Sequence, residues 1–313
     1  MFQGHNRSDV TEFFLLGFQV PENSRIILFS SFLAAYILTL TGNLMIIMLV
    51  STSRHLHSPM YFFLSHLSFC DIMLSSSINP YLLHITLHNG GRLTCIVQFH
   101  FFAFPSGSEC LLLTVMSYDR YVAVCKPLHY QTIMVFPLCF VLVILSWTVG
   151  LGFGLILTLL LSRLDFCNSG SIDHFFCDFS PLVQLSCSDA SVLQIVFFLI
   201  GTPELIIDTG IIITTYICIF LAIHRISSTT GKQKAFSTCS SHLAVVCMYY
   251  GTLFAIYIFS SGDNSSSINK IVSLIYTVLT PFLNPLIYSL RNKEIRVTMK
   301  THWKKNKVKM LRA

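Results

Sequence analysis

The chain has 313 residues, of which 53% are hydrophobic and only 11% charged, with Phe alone at 27. A typical soluble domain is roughly 25% charged, so this chain cannot cover a globular surface with solvated groups. A mean hydropathy of +0.68 points the same way. Disorder, collagen-like repeats and an ordinary cytosolic enzyme are excluded, and the apolar surface must face lipid. The net charge is +6, from 20 Lys and Arg against 14 Asp and Glu, and the 11 Cys are an odd number. The chain is far too long for a disulfide mini-protein, and at least one Cys stays unpaired or is modified.

Residues 1–25 carry Asp9, Glu12 and Glu22, and the apolar run 13–18 is too short for a cleaved secretory leader. The first span is therefore expected to act as its own insertion signal. Seven stretches reach the roughly 20 apolar residues that a helix needs to cross about 30 Å of hydrocarbon. They are 26–51, 59–83, 96–124, 138–161, 193–223, 236–259 and 271–290. Several contain Pro (Pro80, Pro105, Pro203, Pro281 and Pro285), which neighbouring helices tolerate in a membrane. A β-barrel would alternate in short segments instead. The expected fold is all-α: a seven-transmembrane helix bundle over 26–290, between an N-terminal segment 1–25 and a tail 291–313.

Orientation follows from the cations. With the N-terminus outside, the outer segments hold Arg7, Arg25, Arg92, Arg163 and Lys270, and the other fifteen Lys and Arg lie inside. That asymmetry obeys the positive-inside rule. The sequon at Asn6 then lies outside, where glycosylation is possible. The tail from Lys300 to Arg312 follows a span directly, so it reads as a contact with anionic lipid, with a short amphipathic helix from about Lys293, rather than with nucleic acid.

Some runs say more than composition. Leu56-His57-Ser58-Pro59-Met60-Tyr61-Phe62-Phe63-Leu64 leads into Leu67-Ser68-Phe69-Cys70-Asp71, and Met116-Ser117-Tyr118-Asp119-Arg120-Tyr121 closes the third span. Lys234-Ala235-Phe236-Ser237-Thr238-Cys239-Ser240-Ser241-His242 opens the sixth, and Pro281-Phe282-Leu283-Asn284-Pro285-Leu286-Ile287-Tyr288 closes the seventh. Together these runs resemble the olfactory (odorant) receptors, a branch of the rhodopsin-like G-protein-coupled receptors. The resemblance extends from about Thr11 to Glu294. Ser117 and Val124 depart from the usual Ala and Ile, and neither touches a charged group.

The residues have physical readings of their own. An Arg at a helix end can simply snorkel, but Asp119 beside Arg120 and Tyr121 suggests a local ion pair that opens. The resemblance makes Arg120 the G-protein contact, with Tyr216 its partner once released. Asp71 and Glu109 are acids inside the membrane, which are costly and usually functional. With Asn43 and Asn284 they would share a proton or hold a cation, and the resemblance implies a sodium-like ion at Asp71 and Glu109. A protonated hydrogen-bond network is the alternative. Pro285, between Asn284 and Tyr288, frees backbone groups and makes either a hinge or a plain kink. Glu204 and Asp208, four apart, read as a structural polar pair.

Four Cys at the outer end allow three pairings. The resemblance implies Cys95–Cys177 and Cys167–Cys187. If Cys177 is bridged, the run His174 to Asp178 is no metal site, and none is expected. In such receptors the ligand sits between the third, fifth, sixth and seventh spans. Phe102, Ala103, Ser106 and Gly107 share a face of the third span; Tyr250, Leu253 and Tyr257 form a stripe on the sixth, with Leu274 and Thr277 on the seventh. These are the expected ligand contacts, although such stripes are often only core. No counter-charge stands out at the outer end, so small neutral volatile molecules are the expected ligands.

The resemblance implies a plasma-membrane receptor and not an enzyme, coupled to the stimulatory olfactory G protein and raising cyclic AMP. A transporter of a small solute is the runner-up, but the inverted repeats it calls for are not visible. A hydrolase would need a nucleophile and base beside Asp71 and Glu109.

Overall fold

A computed structural model describes residues 12–166, 170–259 and 265–310. Its long helices are α1 (Glu22–Thr52), α2 (Pro59–His88), α3 (Cys95–Cys125) and α4 (Phe136–Leu161), followed by α5 (Ser191–Arg225), α6 (Thr229–Phe259), α7 (265–291) and α8 (Lys293–Met310). The first seven form the bundle, and α3 is its centre, packed against α2, α4 and α5. Most helices run some residues past the expected spans, because polar residues beyond the hydrocarbon still close backbone hydrogen bonds.

Among the described residues, six of the seven bundle helices are long and apolar enough to cross a membrane by themselves. The second, α2, is long enough but more polar. Ser68, Asp71, Ser75 and Asn79 recur every three or four residues along it, and all are buried. That spacing keeps them on one face, turned into the bundle, while Phe69 stays exposed on another side.

Small residues set how closely α3 and α4 approach. A Cβ on Gly150 would lie 2.7 Å from the Ser108 amide, and one on Gly154 would lie 3.1 Å from the Phe104 Cα. The Gly150-x-x-x-Gly154 spacing puts both on one face, the usual device for close helix contact in lipid. Two helices are interrupted by wide turns: Phe197–Gly201 precedes Pro203 in α5, and Ile275–Leu279 precedes Pro281 in α7. Each Pro lacks the amide that would continue the regular ladder, and the π-helical turn absorbs the mismatch.

The end of the bundle that carries Cys95 has a feature absent from the expectations. The apolar run near the N-terminus forms strand β1 (Phe13–Leu15), flanked by β2 (Gly91–Leu93) and β3 (Ser171–Ile172). β1 pairs antiparallel with β2, Phe13 opposite Leu93, and parallel with β3, Leu15 opposite Ile172. Phe13 and Leu15 are buried, and Phe13 meets Phe166 edge to face at 4.9 Å. The turn into β2 needs Gly90, whose φ is 122° and whose Cβ would lie 2.6 Å from the Phe14 ring. On the opposite end, Asn292 caps α8 by accepting from the amides of Glu294 (3.0 Å) and Ile295 (3.3 Å).

Replacing Gly150 with Leu should prevent the α3–α4 approach and abolish surface expression. Gly152→Leu is the matched control, since a Cβ there meets nothing within 4 Å. Surface immunolabelling of the two variants checks this; equal labelling would remove the packing argument.

Candidate functional site

Beneath the small sheet, a cavity of about 190 Å³ opens between α3, α4, α5, α6 and α7. Phe102, Ala103, Ser106 and Gly107 of α3 and Leu253 of α6 line it. Tyr250, Leu274 and Thr277 are not on its wall. Tyr250 is buried and turned toward α3, where its hydroxyl lies 3.3 Å from the Cys110 carbonyl. Leu274 and Thr277 are replaced on the wall by Ser273 and Tyr276. The side chain of Tyr257 lies outside the described residues.

The reasons are geometric. Tyr249, Leu253 and Ile256 form one helical stripe through Leu253; Tyr250, Leu253 and Tyr257 form another. Only the rotation of α6 against α3 chooses between them. On α7, Ser273 and Tyr276 are three apart, as Leu274 and Thr277 are, and the rotation of the helix presents the first pair to the cavity. The Tyr249 hydroxyl donates to the Ser106 carbonyl at 2.9 Å, and lies 3.3 Å from the Tyr276 hydroxyl. One phenol thus ties α6 to α3 and α7 at the cavity wall.

A further correction concerns charge. Asp178 and Glu204 both line the cavity, so Glu204 is more than a structural partner of Asp208. The premise that no carboxylate faces this space does not hold. Asp178 caps the short helix Phe179–Gln184, accepting from the Phe179 amide at 2.8 Å, and burial pushes its carboxyl above the usual range.

Midway down the bundle the acids gather as expected. Asn284 Nδ2 donates to both Asp71 oxygens, at 3.0 and 3.1 Å. The Asp71 and Glu109 carboxyl groups are within hydrogen-bonding reach of each other. A hydrogen bond between two carboxyls needs a proton between them, or a cation in its place. Asn43 stands beside this cluster without joining Asp71, donating instead to the carbonyls of Thr39 (3.0 Å) and Pro281 (3.1 Å). Pro285 packs tightly on α1, where a Cβ on Gly42 would lie 2.9 Å from its ring.

At the far end, Arg120 pairs with Asp119, its Nε donating to Oδ2 at 3.0 Å. Tyr130, from the segment before α4, donates to the other Asp119 oxygen at 2.8 Å. Tyr216 is not on Arg120: its hydroxyl lies 2.7 Å from His242 Nδ1, joining α5 to α6. Tyr121 is half-buried beside Tyr118, and Tyr288 is fully buried in α7 with its hydroxyl unpartnered among the described residues. His242 belongs to the motif that opens the sixth span, and its burial beside Tyr216 gives it a role that the motif alone does not specify.

Cys95 and Cys177 form a disulfide that pins the long loop over the cavity. Gln98 reinforces it, accepting from the Cys177 amide at 2.9 Å while donating to the Ser77 carbonyl at 3.0 Å. Cys187 is also disulfide-bonded; its expected partner Cys167, like Asn6, lies outside the described residues.

The family model for olfactory receptors matches residues 32–305. The chain belongs to the olfactory receptor family. It is 47% identical to human olfactory receptor 11L1 over 294 residues, covering 93% of this chain and 91% of that protein. It is 46% identical to mouse olfactory receptor 5G9 over 297 residues, covering 94% and 95%. With human olfactory receptor 1N1 it shares 44% over 298 residues, covering 94% and 96%. As an olfactory receptor this chain is a multi-pass membrane protein that senses odorants and couples to a G protein. It is not an enzyme.

The receptor's lid holds a titratable group. His174 is 4% exposed, stacked on Phe175 at 4.8 Å, and its Nδ1 accepts from the Phe176 amide. Burial, with Lys270 nearby, lowers its pKa from 6.5 to about 3, against a smaller opposing effect of Asp173. Between those values the unfolded loop binds a proton that the closed lid refuses, so lid stability falls as pH drops through that window. Amide exchange protection over 13–17 and 171–177 should decrease from pH 7.5 to pH 5. His174→Gln should flatten that dependence; an unchanged slope would remove His174 as its cause.

Proposed function

We propose that the odorant occupies the cavity beneath the sheet, and that its binding opens the far end of the bundle to the stimulatory olfactory G protein, raising cyclic AMP. The observation that carries this reading is the chain of contacts running down α3. The cavity touches Ser106 and Tyr249, the acid cluster touches Glu109, and the ion pair Asp119–Arg120 ends the same helix. In this reading the end with the disulfide faces outside, the tail rests on anionic lipid, and Asn6 carries a glycan.

A ligand shifts the bundle only by binding one arrangement better than the other. Filling the cavity bears on Tyr249 and Tyr276, and therefore on the seating of α6 and α7 against α3. At the other end, three contacts resist opening: Asp119 with Arg120, Tyr130 with Asp119, and Tyr216 with His242. Once they part, Arg120 is free for the G protein and Tyr216 can turn toward it. Tyr288, buried on the same end and next but two to Pro285, is placed to follow.

Asp71 and Glu109 suit a monovalent cation. The donors there are all hard oxygens, and Glu109 Oε1, Asn284 Oδ1 and Ser75 Oγ are buried without partners. A sodium ion would supply positive charge between two carboxylates and so favour the closed bundle. Asp71 and Asn284 would hold it from α2 and α7, and Glu109 from α3.

Cells carrying this chain and exposed to an odorant panel should raise cyclic AMP in a dose-dependent way. Arg120→Ala should abolish the response while leaving surface expression intact. A surface-expressed receptor whose response survives that change would refute the coupling role. Tyr130→Phe removes one hydrogen bond from the ion pair, worth about 1 kcal/mol net. Basal cyclic AMP should therefore rise several-fold, measured against receptor number at the surface.

A further inference from the structure

The cavity is unbalanced in charge. Asp178 enters it from the loop and Glu204 from α5, and no Lys, Arg or His is among its described lining residues. Glu204 Oε1 is buried without a partner. One turn further along the same face, Asp208 is 3% exposed, and its Oδ2 is also buried without a partner. Lys270, the cation of the lid above, is held by Asp173 at 2.5 Å and by the Gly17 carbonyl at 3.2 Å. Among the described residues, no ion pair joins a protein cation to these carboxylates.

Much of the rest of the wall is aromatic. Phe102, Phe176, Phe179, Phe197, Tyr249 and Tyr276 surround the space. Ring faces carry partial negative charge and attract cations, most strongly where water is excluded. An aromatic-walled cavity that also holds an unpaired carboxylate oxygen suits a small cation with an apolar body. A neutral alcohol could donate one hydrogen bond to that oxygen but would leave its negative charge unbalanced.

We infer that this receptor selects small protonated amines, with the ligand nitrogen donating to the Glu204 carboxylate and the ligand body against Tyr249, Tyr276 and the Phe rings. The inference rests on the cavity being the odorant site. It replaces the neutral ligand class that composition suggested, because the carboxylates come from elements that only the fold brings together. Asp178 keeps its Oδ1 on the Phe179 amide, and so adds negative potential more than a second direct contact. Asp208 contributes in the same way from below. Charge-assisted hydrogen bonds are about twice as strong as neutral ones, so amines should outrank alcohols of the same skeleton.

The test compares primary amines with alcohols of identical carbon skeleton, from butyl to 2-phenylethyl, by cyclic AMP dose–response on the full-length receptor. Amines should act at concentrations about tenfold or more below their alcohols, in keeping with a charged contact. Glu204→Gln should erase that preference while alcohol responses persist, which also shows that the variant folds and couples. Glu204→Asp, which keeps the charge on a shorter stem, should retain part of the preference. If wild type answers alcohols as well as amines, or if Glu204→Gln leaves the amine preference intact, the inference falls and the odorant site stands. If a surface-expressed wild-type receptor answers no member of either series but does answer other neutral odorants, the inference falls again. If it answers no small molecule at all, the proposed site falls with it.

Discussion

Inside a bilayer a polar side chain has no water to turn to, so it must find its partner within the bundle. In this receptor many of the contacts between helices are made on α3. Gln98 holds the loop, Ser106 accepts from Tyr249, and Glu109 meets Asp71. Further down, Cys110 accepts from Tyr250, and Asp119 holds both Arg120 and Tyr130. These contacts lie along one helix in steps of one to nine residues, so the cavity and the Asp119–Arg120 end share a single rigid rod. The stripe Ser68, Asp71, Ser75 and Asn79 on α2 makes sense only beside it.

The lid rests on the same requirement from the other side. Its strands satisfy the backbone of the chain before α1 by pairing it with β2 and β3, and the disulfide ties β3's loop to the first turn of α3. Phe18 stacks on Phe175 at 5.4 Å, so the entering chain also packs on the loop. A cavity roofed in this way is sheltered from bulk water, which is why charge inside it matters. A carboxylate in bulk solvent would discriminate weakly; beside rings and away from water it discriminates well.

Neighbouring tyrosines make the point about side-chain direction. Tyr249 faces the cavity and reaches Tyr276 and Ser106, whereas Tyr250 faces α3 lower down and reaches Cys110 and Thr114. Together they clamp α6 to α3 at two levels. Tyr216 and His242 supply the clamp to α5. Movement of α6 therefore has to break contacts on both its sides.

The sequence by itself determined the class, the family and the seven helices, because lipid demands long apolar runs and because the motif residues occupy helix ends that composition already marks. It also placed Asp71, Glu109 and Asn284 in one cluster, since charges in hydrocarbon must converge. It did not determine which face of α6 lines the cavity, because Tyr249 and Tyr250 lie on stripes of equal quality until neighbouring helices set the rotation. Nor did it determine that Ser273 and Tyr276 face the cavity, because Leu274 and Thr277 have the same spacing and only packing sets the rotation of α7. The strand at 13–15 is not legible in the sequence because its partners, 91–93 and 171–172, are distant in the chain. The carboxylates of the cavity were invisible for the same reason. Glu204 and Asp178 lie 26 residues apart on different elements, and only tertiary packing turns them toward one space.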